Sequence, residues 1–121
     1  MPNPDSLFHV DTLVVNGKPI SIVDGSCEIS GLLGYENKAV PASSGADGTM
    51  RQRVPRTIKA KILFKPGVTV ADLTGKGQIT ARDLEGPRRV MANNCVIASL
   101  GTLGNGPTDI EWNVLEEYQI L

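Results

Sequence analysis

The chain has 121 residues, 40% apolar and 21% charged, which suits one domain with its own core and argues against a disordered chain. Thirteen glycines and eight prolines put many turns into a short sequence and favour short strands over long helices. Two Phe, two Tyr and one Trp are too few for a base-stacking platform, and no apolar run reaches the ~20 residues of a membrane span.

A net charge of −1 hides an uneven distribution. Residues 1–47 hold two lysines against six acids, residues 48–89 hold ten basic residues against three acids, and residues 90–121 hold four acids and no Lys or Arg. A subunit whose faces differ in sign can meet copies of itself head to tail, giving rings where the rotation closes and filaments where it does not.

The N-terminus, MPNPDSLFHV, has no basic stretch and no apolar core of the kind a secretory signal needs, and residues 1–11 are expected to form an arm. His9, the one histidine, falls in that arm with nothing in the sequence to hold it. Leu13 to Val15, Asn16-Gly17 and Ile20 to Val23 then predict a hairpin, since Asn-Gly supplies the two positive φ angles of a type I′ turn. Pro19 belongs at the start of the second arm, where a missing N–H does least harm. After Asp24-Gly25, Ser26 to Leu33 reads as a third strand with Cys27, Ile29 and Leu32 towards the core. Cys27 is expected as a small core hydrophobe.

Residues 43–56, SSGADGTMRQRVPR, are small, polar and then basic, with no sustained period. A loop of that length is functional or disordered. Next, Ile58, Ala60, Ile62 and Phe64 alternate with Lys59, Lys61, Leu63 and Lys65, the period of a half-buried antiparallel strand. Thr69 and Asp72 fit a capping box that opens a helix of about residues 69–75. Val70 and Leu73 supply its apolar side, and Gly75 is placed for a left-handed cap.

Three strands close the chain. Gln78 to Leu84 leads through Glu85-Gly86-Pro87 to Arg88–Ser99, where Val90, Ala92, Val96 and Ala98 share one face and Met91, Cys95 and Ile97 the other. Apolar residues on both faces point to cover on both sides, by the core and by another subunit. Gly101 to Pro107 is a glycine-rich loop. In the last strand Ile110, Trp112 and Val114 alternate with Asp109, Glu111 and Asn113.

Catalytic readings fail on parts. Cys27 and Cys95 have no base but the distant His9, while Asp109 with Glu111 and Glu116 with Glu117 read as solvated acids. No His, Cys and Asp cluster in metal-ligand spacing, and Gly101 to Gly106 has the glycines of a phosphate loop without its order or its Lys-Ser/Thr. The chain is therefore expected to be no enzyme and to carry no cofactor. Arg51, Arg53, Arg56, Lys59, Lys61 and Lys65 run without an intervening acid, which keeps a second reading open: a small β-barrel that binds nucleic acid without sequence specificity through a basic loop and strand.

The succession of a hairpin around Val-Asn-Gly-Lys, the Gly-Ser-Cys-Glu-Ile-Ser strand and a glycine-rich dibasic loop forms the first half of a pattern. The Lys-Ala-Lys-Ile-Leu-Phe strand, the Val-Ala-Asp-Leu-Thr-Gly helix, an Asn-rich strand and a final strand of alternating acids complete it. Over essentially its whole length this resembles the tail tube proteins of Mu-like contractile-tailed bacteriophages, whose fold is shared with the secreted tube protein of type VI secretion systems. One departure is Asn94-Cys95-Val96, where the family pattern has an aromatic.

The resemblance implies a single mainly β domain over residues 1–121, two antiparallel sheets forming a sandwich or half-barrel with one short flanking helix. It implies six-membered rings stacked into a tube inside a contractile sheath, with DNA in transit through the lumen. The partners implied are the chain itself, the tail sheath, the terminator and the baseplate or tape-measure proteins, without membrane binding by this chain. The location implied is the virion, with the host cytoplasm before assembly. The family's long loop, reaching a neighbouring subunit or ring, maps onto residues 43–56. On this reading Arg51, Arg53 and Arg56 meet acids of a neighbour, with Asp109, Glu111, Glu116 and Glu117 as the candidates, and Met50 belongs to the same interface.

Overall fold

A computed structural model describes residues 7–121. Its first elements, β1 (Val10–Val15) and β2 (Lys18–Ser21), form the expected hairpin, with Asn16 at φ 51° and Gly17 at φ 86° in the turn. Pro19 sits in β2, which lies at one end of the sheet. There follow β3 (Glu28–Ser30), β4 (Tyr35–Val40), β5 (Gly48–Arg53) and β6 (Arg56–Ile62). The single helix α1 (Val70–Thr74) precedes β7 (Gly77–Asp83), β8 (Arg89–Leu100), β9 (Thr108–Val114) and β10 (Gln119–Ile120).

The fold is mainly β, with two antiparallel sheets, one short helix and no closed barrel. The larger sheet runs β2-β1-β7-β8-β9-β6-β3, with β10 added beside β8, and the smaller is the β4-β5 ribbon alone. The larger sheet rolls far enough that the chain after β2 meets β6. Val23 donates to the Lys61 carbonyl at 2.8 Å, and Leu63 donates to that of Ser21 at 2.9 Å. Inside this curl lie Leu13 and Ile20 of the first hairpin, Ile58 and Ile62 of β6, Ile79 of β7, and Ile110 and Trp112 of β9. The alternation in β6 and β9 thus does what period two requires: every second side chain enters the core.

The helix closes one end of the curl. Asp72 donates its backbone N–H to the Thr69 hydroxyl at 3.4 Å, and the Asp72 carboxylate accepts the Thr69 N–H at 2.9 Å, so the capping box forms. Two expectations fail here. Val70 is 54% exposed, because five residues make little more than one turn and only Leu73 reaches the core. Gly75 is extended, at φ −63° and ψ 134°, not left-handed. The chain runs straight on into β7, and the Gly75 carbonyl accepts the Asn16 side-chain amide at 3.2 Å.

Other sequence expectations need correction. Only Glu28–Ser30 of the proposed Ser26–Leu33 strand is regular, since Gly31 takes φ 73° and turns the chain away. Leu32 is left 57% exposed rather than in the core. Residues 43–56 are not an irregular loop, because residues 48–53 form β5 on β4 and residue 56 opens β6. In β8 the inward set is Val90 and Ala92, then Cys95 and Ile97. Asn94, at φ 57°, inserts an extra residue that shifts the alternation, so Val96 and Ala98 do not share a face with Val90. β10, two exposed residues long, shows no strand period in the sequence. The arm expected over residues 1–11 lies partly outside the described residues, and from Val10 onward it is β1. His9 is not loose: its N–H donates to Asp83 at 3.1 Å, and its Nε2 lies 2.7 Å from Asp24.

Candidate assembly surface

The β4-β5 ribbon carries Met50, Arg51 and Arg53 of the residues singled out from sequence, and every residue of it except Tyr35 is exposed. Directly opposed residues share a face, so the pairing Tyr35–Arg53, Asn37–Arg51 and Ala39–Thr49 defines one side. That side is cationic: the Arg51 guanidinium lies over the Tyr35 ring, 4.0 Å from its centroid. The opposite side carries Glu36, Lys38 and Gln52 with the apolar Val40 and Met50, which are 46% and 53% exposed. No core lies beneath either side.

At the ribbon's base Gly31 and Gly34 allow two close approaches. A side chain at Gly31 would collide with the Pro55 carbonyl, and one at Gly34 with the Arg56 guanidinium. Arg56 is accordingly half-buried and does not belong to the free cationic side. Its Nε makes no hydrogen bond. Val54 donates to the Gly34 carbonyl at 3.1 Å and completes the attachment.

The acids expected across an interface divide into two kinds. Glu111 lies opposite Lys59, with Nζ 3.9 Å from the carboxylate, and Asp109 lies opposite Lys61. These two acids already face lysines of the same sheet. Glu116 and Glu117 are exposed in the connection from β9 to β10. The six-cation run is therefore dispersed by the fold: Arg51 and Arg53 on the ribbon, Arg56 at its base, and Lys59, Lys61 and Lys65 on or just beyond β6 of the larger sheet, the first two opposite acids.

Several backbone rims stay open. β7 ends its ladder on β8 at Gly77–Cys95, so residues 96–100 pair only with β9, and β2 and β3 each have a neighbour in the sheet on one side only. Open rims of this kind can accept a strand from another chain, and Leu115, Ile120 and Leu121 are exposed.

Burial keeps both thiols and one phenol protonated. Burial, with Glu28 adding to it, pushes the Cys27 thiol up to about 12, and burial pushes Cys95 up to about 11. Burial likewise raises the Tyr118 hydroxyl to about 12; it donates towards the carbonyls of Ser30 and Thr57 at 2.9 and 3.3 Å. Among the described residues no three His, Cys, Asp or Glu side chains gather closely enough for a metal ion, and no helix is long and apolar enough to cross a membrane.

The fold is that of subunits from contractile injection particles. Matched over 100% of this chain and 97% of the other, with a TM-score of 0.65 and 17% identity, is a chain from the PVC sheath/tube terminator of an extracellular contractile injection system in its extended state. A chain of the anti-feeding prophage cap, the AFP tube terminating cap, matches with a TM-score of 0.64 and 12% identity over 100% and 93% of the two chains. A chain of the PVC sheath-tube complex in the extended state matches with a TM-score of 0.64 and 16% identity over 98% and 91%. By sequence, no protein family and no curated protein matches.

Proposed function

We propose that the chain is a structural, non-catalytic subunit of the tube of a contractile phage-type tail. Copies form hexameric rings that stack into the conduit through which DNA leaves the particle, enclosed by a sheath and bounded by terminator and baseplate proteins. The observation that carries this reading is the β4-β5 ribbon. A two-stranded hairpin alone in water is marginally stable at best, and this one has no core on either side while displaying Val40 and Met50. A neighbouring subunit supplies what the ribbon lacks. The fold shared with chains of contractile particles supports the same assignment. The dispersal of the basic run over three sites weighs against the nucleic-acid-binding alternative, because such binding needs a continuous cationic track.

Negative-stain microscopy of the purified protein tests the proposal. Rings or tubes with an open centre are the expected result. A monodisperse monomer at high concentration that retards a DNA duplex, with affinity falling steeply as salt rises, would replace it with the nucleic-acid reading.

A further inference from the structure

A cross-strand row on the outer face of the larger sheet passes from Thr12 through Arg82 to Arg89, and the two arginines stand directly opposite each other. Ala81 and Asp83 on either side of Arg82, and Val90 beside Arg89, point inward, so both guanidiniums are on the solvent side and exposed. Side chains so opposed have Cβ atoms about 5 Å apart, and like charges there repel. Both backbones are held in the sheet, and Arg89 also exchanges backbone hydrogen bonds with Leu121, but neither guanidinium has an ion pair or hydrogen bond to another described residue. The two acids close by are engaged elsewhere. Asp83 turns inward and accepts from Arg88 Nε at 2.7 Å, and Asp11 accepts from the Thr12 hydroxyl at 3.2 Å.

The pair opens onto a groove of about 550 Å³ whose walls include Asp11, Thr12, Pro19, Arg82, Arg88 and Arg89. Two permanent cations held side by side at exposed positions are a standing cost to the fold. A carboxylate seated between them turns repulsion into two charge-assisted contacts.

We propose that the Arg82–Arg89 pair docks an acidic, carboxylate-bearing segment of a partner protein. The surroundings favour a short acidic peptide segment over a nucleic-acid backbone. The site is two guanidiniums wide, because the third arginine of the groove, Arg88, is paired with the buried Asp83, and the exposed Asp11 flanks it, so the next phosphate of a polyanion would meet an acid of like sign. No aromatic side chain lines the groove to receive a base.

Titration of the folded protein with a capped tetraglutamate peptide, followed through the arginine Nε–Hε resonances, tests the site without reference to ring formation. The expected result is a saturable shift of the Arg82 and Arg89 signals that a capped tetraglutamine peptide does not produce. Affinity should fall about tenfold in R82Q and in R89Q, either of which alters only an exposed side chain. No shift of either signal with the acidic peptide would overturn the proposal. So would a shift produced by a DNA duplex and not by the peptide, which would assign the pair to phosphates.

Discussion

The indole N–H of Trp112 donates to the carbonyl of Leu73 at 3.0 Å, joining the centre of β9 to the last turn of α1. Both residues are almost wholly buried, and the bond satisfies one of the carbonyls that a helix C-terminus leaves unpaired. W112F removes the donor, strands the carbonyl and leaves a void where the indole was. It should cost about 2–4 kcal/mol, read as a lowered urea midpoint with unchanged slope. L73A should fall in the same range, since its side chain closes the end of the curl.

Lys18 and Asp72 join the first hairpin to the helix, with Nζ 2.6 Å from the carboxylate; Nζ also contacts the Gly67 carbonyl. The hydrogen bond from Lys18, then those from the Thr69 backbone and hydroxyl, hold the Asp72 carboxyl down at about 2. A folded-state value below the ordinary ~4 means that ionised Asp72 favours the folded chain above that ordinary value. The benefit drains away as pH falls from there through about 2. D72N should therefore unfold at lower denaturant than the parent at pH 7, and the two curves should converge only as pH falls below about 2.

Much of this architecture is written in the residues because a single face is buried. Ile58, Ala60 and Ile62, like Ile110, Trp112 and Val114, alternate against charged partners, and a one-residue slip would bury lysine or acid. The Asn16-Gly17 turn and the Thr69–Asp72 cap are equally local. The β4-β5 ribbon is not legible this way. Its strands lack a buried side, so Glu36, Lys38, Arg51 and Arg53 leave no apolar period to read. The pairing of Asp109 and Glu111 with Lys61 and Lys59, and the meeting of Arg82 with Arg89, depend on register between distant strands, which charge runs along the chain do not reveal.

Gly31 fixes where the ribbon leaves the sheet. It combines φ 73° with a backbone approach to Pro55 and Arg56 that no side chain fits. G31A should loosen the attachment. The expected signature is faster amide exchange at Val54, whose N–H is held by Gly34, with little change in β7 or β8, which do not pair with β6 at the ribbon's base. Uniform acceleration across all strands would mean instead that the ribbon base and the core unfold together.

The thiols offer a simple check on the packing. With Cys27 raised to about 12 and Cys95 to about 11, neither carries appreciable thiolate at pH 8. Ellman's reagent should label the native protein slowly at both positions and label two thiols promptly in urea. Fast labelling of Cys27 in buffer would show that β3 detaches from the core on the timescale of the assay.

Asn94 sets the bend of β8. Its φ of 57° lies in the left-handed region, which asparagine tolerates and β-branched residues do not. The residue lies within the register shift between β7 and β8, and its carbonyl accepts the Leu115 N–H at 3.2 Å. The same residue therefore turns Cys95 inward and positions the chain that returns as β10 beside Met91 and Val90. N94G should keep the bend at little cost, since glycine adopts this conformation freely. N94V should cost about 1–2 kcal/mol in thermal or urea unfolding, because the left-handed position penalises its Cβ. If valine is tolerated as well as glycine, the bend is imposed by the flanking strands and not by the residue at its apex.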